Sequence, residues 1–320
     1  MAAAAGHRRD PLALLTGRVV KRASGSAKRD PPPVVRDTND HVARTAAAAA
    51  PAKRFLLTML WCSDTVIVER ADRAGIDRIG LDLETLGKAE RQRGLRTFVS
   101  THRLEQLEGM RRAVTHGELF CRVNPFHAGS RTEVDRVLGY GVEVLMLPMF
   151  TTAGEVERFV DIVAGRAKVV PLLEHRLAAD EVDRIVRIRG LDCLHVGLND
   201  LAISLGERNR FALMVSPLLA RIATAARRAD LRLCVGGIGR AMDDTLPIPS
   251  DLIYSRYAAL GATGALVSRS FLERDPAAVD LAVEVARCRE RIAYWQQCSA
   301  VELDAAGRRF RERVAACPDW

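Results

Sequence analysis

From residue 55 onward, short apolar runs alternate with longer amphipathic segments. The apolar runs lie at 55–60, 78–83, 119–124, 144–149, 169–174, 193–198, 232–237 and 264–269. Each run is nearly continuous in apolar residues, which is typical of parallel strands that are covered on both faces of the sheet. We therefore predict eight strands.

The segments between these runs carry apolar residues at helical spacing. They predict helices at 66–75, 155–165, 181–190, 217–230, 251–261 and about 277–297. Thr151 and Thr152 are candidate caps for the second helix, and Ser250 for the fifth, because a hydroxyl there can accept a backbone N–H.

Eight strands alternating with helices predict a (β/α)8 TIM barrel, an α/β fold, over residues 53–297. The rival fold is a doubly wound open sheet, which usually has a glycine-rich turn after its first strand. Here the first strand is followed by Trp61, Cys62, Ser63 and Asp64, without glycine. The closed barrel is the preferred interpretation.

The two ends of the chain differ from this repeat. Residues 1–52 contain several basic residues, three consecutive prolines and an alanine run, and we expect a disordered N-terminal arm. Residues 298–320 form a charged segment with helical character. We expect this C-terminal helical tail to pack on a neighbouring subunit.

The amino-acid composition argues against several classes of function. The net charge is +8, but only 5% of the residues are aromatic, so we expect no nucleic-acid partner. No apolar run reaches about 18 residues, which predicts no transmembrane helix. Seven scattered cysteines without zinc spacing or a signal peptide predict small core side chains in a cytoplasmic protein.

Charged side chains collect at the predicted strand ends. They are Asp82, Glu84, Arg122, Glu174 and Asp200. In a TIM barrel these ends form one face, which carries the active site. Carboxylates buried together need a compensating cation, and Mg²⁺ typically uses one or two carboxylates with water and substrate oxygens.

This pattern predicts Glu174 and Asp200 as metal ligands, with Asp82 and Glu84 orienting waters around the metal. Arg122 is a candidate for binding a substrate carboxylate or for stabilising an enolate oxygen. The alternatives are ordinary ones: helix caps or loop residues for the acids, and a structural ion pair for Arg122.

Two further features are less specific. His175 directly follows Glu174 and is a candidate for acid–base chemistry. Gly236 and Gly237 are predicted in a turn after the seventh strand, where barrels often bind phosphate or another substrate group. A tight turn without a ligand explains these glycines equally well.

Four motifs together resemble the HpcH/HpaI aldolase and citrate lyase β-subunit family of the phosphoenolpyruvate/pyruvate barrel superfamily. They are GLDLE at 80–84, RVN at 122–124, LMLPMF at 145–150, and VPLLEH at 170–175 followed by HVGLNDLAISLG at 195–206. The resemblance spans residues 55–272. It implies Mg²⁺ or Mn²⁺ on Glu174 and Asp200, and Arg122 on a pyruvate-like unit.

The resemblance implies reversible cleavage or formation of a C–C bond in a small keto or carboxylic acid through a metal-stabilised enolate. It also implies a homo-oligomer, a trimer or hexamer. Thr85 stands where the family has His or Asp, so the general base is in doubt. Glu84 and His175 join Arg122 as catalytic candidates, and a water on the metal is another possible base.

Two other functions stay open. One is a citrate-lyase-like or Claisen-type condensation, or a thioester hydrolysis, on an acyl-CoA. The other is a barrel that binds a ligand without catalysis, for which Thr85 is the main argument.

Overall fold

The computed structural model describes residues 54–88, 101–243, 247–272 and 278–318. The eight predicted strands are all present, as β1 Leu56–Met59, β2 Arg78–Asp82, β3 Glu118–Arg122, β4 Val144–Leu147, β5 Lys168–Leu173, β6 Cys193–Val196, β7 Arg232–Ile238 and β8 Gly264–Val267. Each strand pairs in parallel with the next and β8 pairs with β1, which closes the barrel. The prediction of a TIM barrel is confirmed, whereas the arm predicted at 1–52 lies outside the described residues.

Helices surround this barrel. In the described ranges they are α1 Thr65–Arg73, α2 Gln106–Ala113, α3 Ser130–Leu138, α4 Ala153–Val163, α5 Arg176–Asp180, α6 Val182–Ile185, α7 Leu198–Leu205, α8 Pro217–Arg228, α9 Ser250–Leu260, α10 Leu281–Gln297 and α11 Ala300–Ala316. Two 3₁₀ helices lie at Arg210–Val215 and Arg269–Leu272. None of the helices among the described residues is both long and apolar enough to cross a membrane.

The helix ends confirm one predicted cap, correct a second, and shorten one predicted helix. Thr152 caps α4 in a reciprocal capping box with Glu155. Ser250 is instead the first helical residue of α9, and its hydroxyl donates to the carbonyl of Asp243 at 3.0 Å. The helix predicted at 181–190 is shorter in the structure: Glu181 (φ −93°, ψ 10°) is its N-cap, α6 covers Val182–Ile185, and Val186 is its C-cap.

Apolar side chains pack in two layers, because successive strand residues face opposite sides of the sheet. The larger core lies between the strands and the helices. The smaller one fills the barrel and consists of Leu60, Phe120, Val144, Met146, Val170, Leu172, Cys193 and Cys234, with Leu266 against them. At the N-terminal ends of the strands, Arg78 bonds Glu118 at 2.9 Å and Asp192 at 2.6 Å, so an ionic floor lies beneath this core.

The C-terminal tail packs on its own chain. Phe310 of α11 is fully buried and meets the ring of Phe211 edge-on, with the centroids 6.5 Å apart. Asn209 also donates to the carbonyl of Cys317 at 2.6 Å. The helical tail is therefore confirmed, and its buried aromatic side chain contacts this chain, where the sequence had suggested a neighbouring subunit.

Candidate active site at the barrel mouth

The charged residues predicted at the strand ends lie at the C-terminal end of the barrel, which is called the mouth below. Asp82 and Arg122 are the last residues of β2 and β3, and Glu174 directly follows β5. Asp200 lies in the first turn of α7, a short way beyond the end of β6. Asp82, Glu84 and Glu174 are all buried.

Asp82 and Arg122 form a bidentate pair. The Nε and Nη2 atoms of Arg122 donate to the two carboxylate oxygens of Asp82 at 2.8 and 2.7 Å. Lys88 Nζ adds a third bond to Asp82 at 2.5 Å. Burial alone would raise the pKa of Asp82, but these cations outweigh it and lower the pKa to about 2. Asp82 is therefore a permanently ionised anchor for Arg122.

Glu84 belongs to the same ionic cluster. Its Oε2 lies 3.3 Å from Arg122 Nη2 and 3.6 Å from Lys88 Nζ. Its backbone N–H donates to Asp82 at 3.2 Å, which holds the chain after β2 against the mouth. Two acids and two cations thus meet at the ends of β2 and β3.

Glu174 has a different environment. Its carboxylate accepts a hydrogen bond from the backbone N–H of Met149 at 3.1 Å, and Met149 has the left-handed φ of 53° that is uncommon for a side-chain-bearing residue. Burial is the main cause that raises the pKa of Glu174, the charge of Arg122 opposes it, and the charges of Asp200 and Glu84 add to it, so that the resulting pKa is about 8. The surroundings of this carboxyl group therefore provide too little positive charge to stabilise its ionised form.

Gly197 makes room for Glu174. A Cβ atom at Gly197 would lie 2.9 Å from Glu174 Oε2 and 3.0 Å from its Cβ, closer than real side chains allow. The absence of a side chain lets the Glu174 carboxylate lie against the start of α7, the helix that carries Asp200. The sequence did not single out Gly197, although it lies within the motif HVGLND.

The donor set fits a divalent cation shared with a substrate. Among the described residues, no group of three or more His, Cys, Asp or Glu side chains is arranged to hold a metal ion by itself. Glu174 and Asp200 offer two carboxylates, which matches the way Mg²⁺ binds with water and substrate oxygens. The four acids Asp82, Glu84, Glu174 and Asp200 and the two cations Arg122 and Lys88, taken by themselves among the described residues, sum to a charge of minus two when all are ionised.

Two histidines near these residues bond to the backbone. His175 is the N-cap of α5, and its Nδ1 accepts the N–H of Leu177 at 3.3 Å. His102 Nδ1 accepts the N–H of Asp82 at 3.2 Å, and burial lowers the pKa of His102. In both, the neutral ring carries its proton on Nε2, so each presents a hydrogen-bond donor there.

Thr85 helps to hold the chain segment after β2. Its N–H, its hydroxyl and the N–H of Leu86 all donate to the side-chain oxygen of Asn124, at 2.8, 3.2 and 2.9 Å. Asn124 in turn donates to Glu133 at 2.7 Å. Asn124, His102 and Lys88 were missed as site residues. Lys88 had one available signal, because it follows the candidate Glu84 by four residues.

Gly236 and Gly237 lie inside β7, which corrects their predicted placement in a turn beyond it. Gly236 has φ +42°, and a Cβ atom there would lie 2.5 Å from the side chain of Leu198, so this glycine makes room for the start of α7. Gly237 is exposed, and its carbonyl accepts the hydroxyl of Tyr257 at 2.9 Å. Their predicted contact with substrate stays a prediction.

Solved structures share this architecture. A HpcH/HpaI aldolase/citrate lyase family protein from Burkholderia cenocepacia J2315 is 19% identical with a TM-score of 0.54, over 75% of this chain and 94% of that one. A HpcH/HpaI aldolase from Desulfitobacterium hafniense DCB-2 is 17% identical with a TM-score of 0.52, over 78% and 95%. The citrate synthase SbnG is 17% identical with a TM-score of 0.53, over 71% and 91%. At these identities the likeness shows a shared fold.

Comparison of the sequence with known families is more specific than these structural similarities. No curated protein matches it significantly. The profile described as HpcH/HpaI aldolase/citrate lyase matches residues 57–238, more than half of the chain and the span from β1 to the end of β7. Proteins of this family typically depend on a metal ion and act on small-molecule acids. The chain belongs to the HpcH/HpaI aldolase/citrate lyase family.

Proposed function

We propose that this protein is a metal-dependent carbon–carbon lyase that cleaves or forms a bond next to the carbonyl group of a small keto or carboxylic acid. The observation that carries the proposal is the charge balance of the mouth. Among the described residues, the buried carboxylates of Asp82, Glu84 and Glu174 and the half-buried Asp200 share this end of the barrel with Arg122 and Lys88, and the pKa of Glu174 is raised to about 8. Such a site gains stability from one divalent cation, and an acidic substrate can complete the coordination.

Glu174 and Asp200 would hold Mg²⁺ or Mn²⁺, which would supply Lewis-acid polarisation of the substrate carbonyl. The remaining chemistry belongs to the side chains. Glu174 is itself shielded from bulk water, which strengthens the electrostatic interactions of its carboxylate.

Arg122 would bind the substrate carboxylate or the enolate oxygen. Asp82 occupies the edge formed by Nε and Nη2, and Glu84 Oε2 lies 3.3 Å from Nη2, so Nη1 is the nitrogen that the substrate would meet. Part of the Arg122 side chain is still exposed. Asp82 therefore fixes the plane of the guanidinium, and the substrate binds to the edge that faces away from Asp82.

Glu84 and His175 are the proposed proton carriers. Thr85 is too weak a base at neutral pH, and its hydroxyl is bonded to Asn124. The neighbouring carboxylate of Glu84 lies within ionic contact of Arg122, beside the proposed enolate position. His175 would act through Nε2, because Nδ1 caps α5: it would donate a proton to the carbonyl oxygen that becomes a hydroxyl when the C–C bond forms, and take that proton back when the bond is cleaved.

A second candidate is a Claisen-type condensation or thioester hydrolysis on an acyl-CoA. It is favoured by the shared fold with a solved citrate synthase. The lyase and the condensation would both use an enolate at the same site, whereas thioester hydrolysis would be attack of water on the thioester carbonyl with release of the thiol, so the candidates differ in whether they need the thioester. Product analysis with pyruvate, oxaloacetate and an acyl-CoA separates them: C–C cleavage without the thioester supports the lyase, and products that need the thioester support the condensation.

Thermal unfolding tests the shared site. Mn²⁺ should raise the midpoint of the wild-type protein and oxalate should raise it further, since a ligand at 100 times its dissociation constant adds about 2.7 kcal/mol. Glu174→Gln keeps the side-chain volume and should abolish both shifts. Glu108→Gln, on an exposed helical pair, serves as the control and should keep both.

Two outcomes would contradict the proposal. If neither Mn²⁺ nor oxalate shifts the wild type, the enolate site is wrong. If oxalate alone shifts both the wild type and Glu174→Gln, the barrel binds acids without a metal, which favours a non-catalytic ligand-binding function.

A further inference from the structure

Lys88 is buried at the mouth of the barrel, where it forms two ionic contacts. It is among the largest fully buried side chains of the described residues. Its Nζ lies 2.5 Å from Asp82 Oδ2 and 3.6 Å from Glu84 Oε2. A buried lysine is costly unless carboxylates compensate it, and these two acids do so.

The same two acids also contact Arg122. Asp82 binds both Nε and Nη2 of the guanidinium, and Glu84 lies 3.3 Å from Nη2. Lys88 and Arg122 therefore share one pair of negative charges. With Lys88 present, the four groups are neutral together, and Arg122 is not obliged to neutralise both acids alone.

We propose that Lys88 is a positioning residue that balances Asp82 and Glu84, so that Arg122 keeps positive potential for an anionic substrate. The inference rests on the proposed function, since it assumes that the mouth binds a cation and an acid together. It adds a residue that acts through Asp82 and Arg122 and does not itself touch the substrate.

This role has an electrostatic signature. Removing one positive charge from the mouth makes its potential more negative, which favours a metal cation and disfavours an anion. General damage to the site would weaken both ligands. The two affinities should therefore move in opposite directions only if Lys88 acts through its charge.

The test compares Lys88→Met with the wild type by calorimetric titration of Mn²⁺, and then of oxalate onto the Mn²⁺-loaded protein. Methionine has a similar length and no charge. We expect Mn²⁺ to bind about fivefold more tightly or better, and oxalate about fivefold more weakly or worse. Lys88→Arg retains the charge and should stay within about twofold of the wild type for both ligands.

Lys168→Met is the matched control. Lys168 also pairs with a glutamate, Glu118, but at the first residue of β5, six residues before Glu174. Six strand residues span about 20 Å, so this charge is at the far end of the barrel. Both affinities should be unchanged in this variant.

The outcomes separate the two levels of the proposal. A wild-type protein that binds neither Mn²⁺ nor oxalate overturns the proposed function. If the wild type binds both, but Lys88→Met leaves both unchanged or weakens both, the role of Lys88 is wrong. If Lys88→Met does not fold, Lys88→Gln replaces it, and the same opposite shifts are required.

Discussion

Side chains at the barrel mouth depend on small features of their neighbours. Glu174 illustrates this, because three backbone features set its position: Met149 donates an N–H to it, Gly197 leaves space for it, and the start of α7 lies beside it. The sequence identified Glu174 as a candidate site residue, but it did not predict these contacts around its carboxylate. Substitutions beside the carboxylate are therefore as informative as substitutions of the carboxylate itself.

Gly197→Ala should displace Glu174. The added Cβ would lie 2.9 Å from the carboxylate, so either Glu174 or the start of α7 must move. We expect Mn²⁺ affinity to fall about tenfold or more, because metal sites need ligands held close to ideal geometry. Calorimetric titration measures this. Gly154→Ala, where the nearest atom to an added Cβ is 4.0 Å away, is the control.

Asp72 is the clearest acid-sensitive residue outside the mouth. It is buried in α1, and its carboxylate accepts the N–H groups of Thr115, His116 and Gly117 at 2.9, 3.0 and 2.7 Å. Burial would raise the pKa of Asp72, but these bonds and the His116 side chain lower it from 3.8 to about 2. The ionised form is therefore bound more tightly in the folded protein than in the unfolded one.

This shift makes stability depend on pH. Since the folded pKa is the lower one, the stabilisation is complete above pH 3.8 and is lost as pH falls towards 2. Asp72→Asn should lower the free energy of unfolding by about 2 kcal/mol at about pH 6, and by less near pH 2. Denaturant titrations at several pH values measure this. A deficit that does not shrink in acid would contradict the assignment, and Glu69→Gln, in an exposed ion pair, is the control.

At the scale of elements, the apolar runs of the sequence predicted the order of the strands, whereas the contacts of single residues determine where the helices begin and end. The capping box of α4 was visible in Thr152 and Glu155, which are three residues apart. The short helix α5 was not predicted, and at its end Glu181 makes a contact that the sequence did not show: its carboxylate accepts the N–H of Ala153 at 2.8 Å. Propensity and periodicity describe a segment alone, whereas such a contact requires the fold.

Helix α11 offers a test at this scale. Phe310 is fully buried against the 3₁₀ helix Arg210–Val215, with its ring edge-on to Phe211. Phe310→Ala should lower the free energy of unfolding by about 3–5 kcal/mol, since it removes apolar burial and leaves a cavity. Val301→Ala changes a side chain of the same helix that is 76% exposed, and its effect should stay within about 0.5 kcal/mol. Equal effects would show that α11 does not pack as described.

For the whole barrel, the two ends carry charge for different purposes. At the C-terminal end, the described acids Asp82, Glu84, Glu174 and Asp200 outnumber Arg122 and Lys88, and this is where we propose that a divalent ion binds. At the N-terminal end, Arg78 is buried between Glu118 and Asp192, and the barrel core lies between these two charge clusters. We infer that the ionic cluster around Arg78 contributes to stability, whereas the charged residues of the mouth contribute to ligand binding.

Arg78→Met should separate these two properties. Glu118 and Asp192 would lose their buried partner but are themselves 28% and 20% exposed, so we expect a loss of about 2 kcal/mol in the free energy of unfolding. Affinities for Mn²⁺ and oxalate, measured by titration below the unfolding transition, should be unchanged. A large loss of oxalate affinity would mean that the two ends are coupled.

By itself, the sequence determined the fold class and the main candidates at the mouth. Eight apolar runs with helices between them require a covered parallel sheet, and acids that follow successive strands share one edge of a barrel. Asp82, Glu84, Arg122 and Glu174 could be named in this way because their positions follow from the strand repeat.

The tertiary structure determined which side chains contact each other. Arg122 forms a bidentate pair with Asp82, His175 caps a helix, and Lys88 joins the cluster from four residues beyond Glu84. Strand periodicity places a residue at a height and on a face, but loop paths and side-chain partners depend on contacts between residues far apart in sequence. The ionic network of the mouth therefore appears only when the barrel closes.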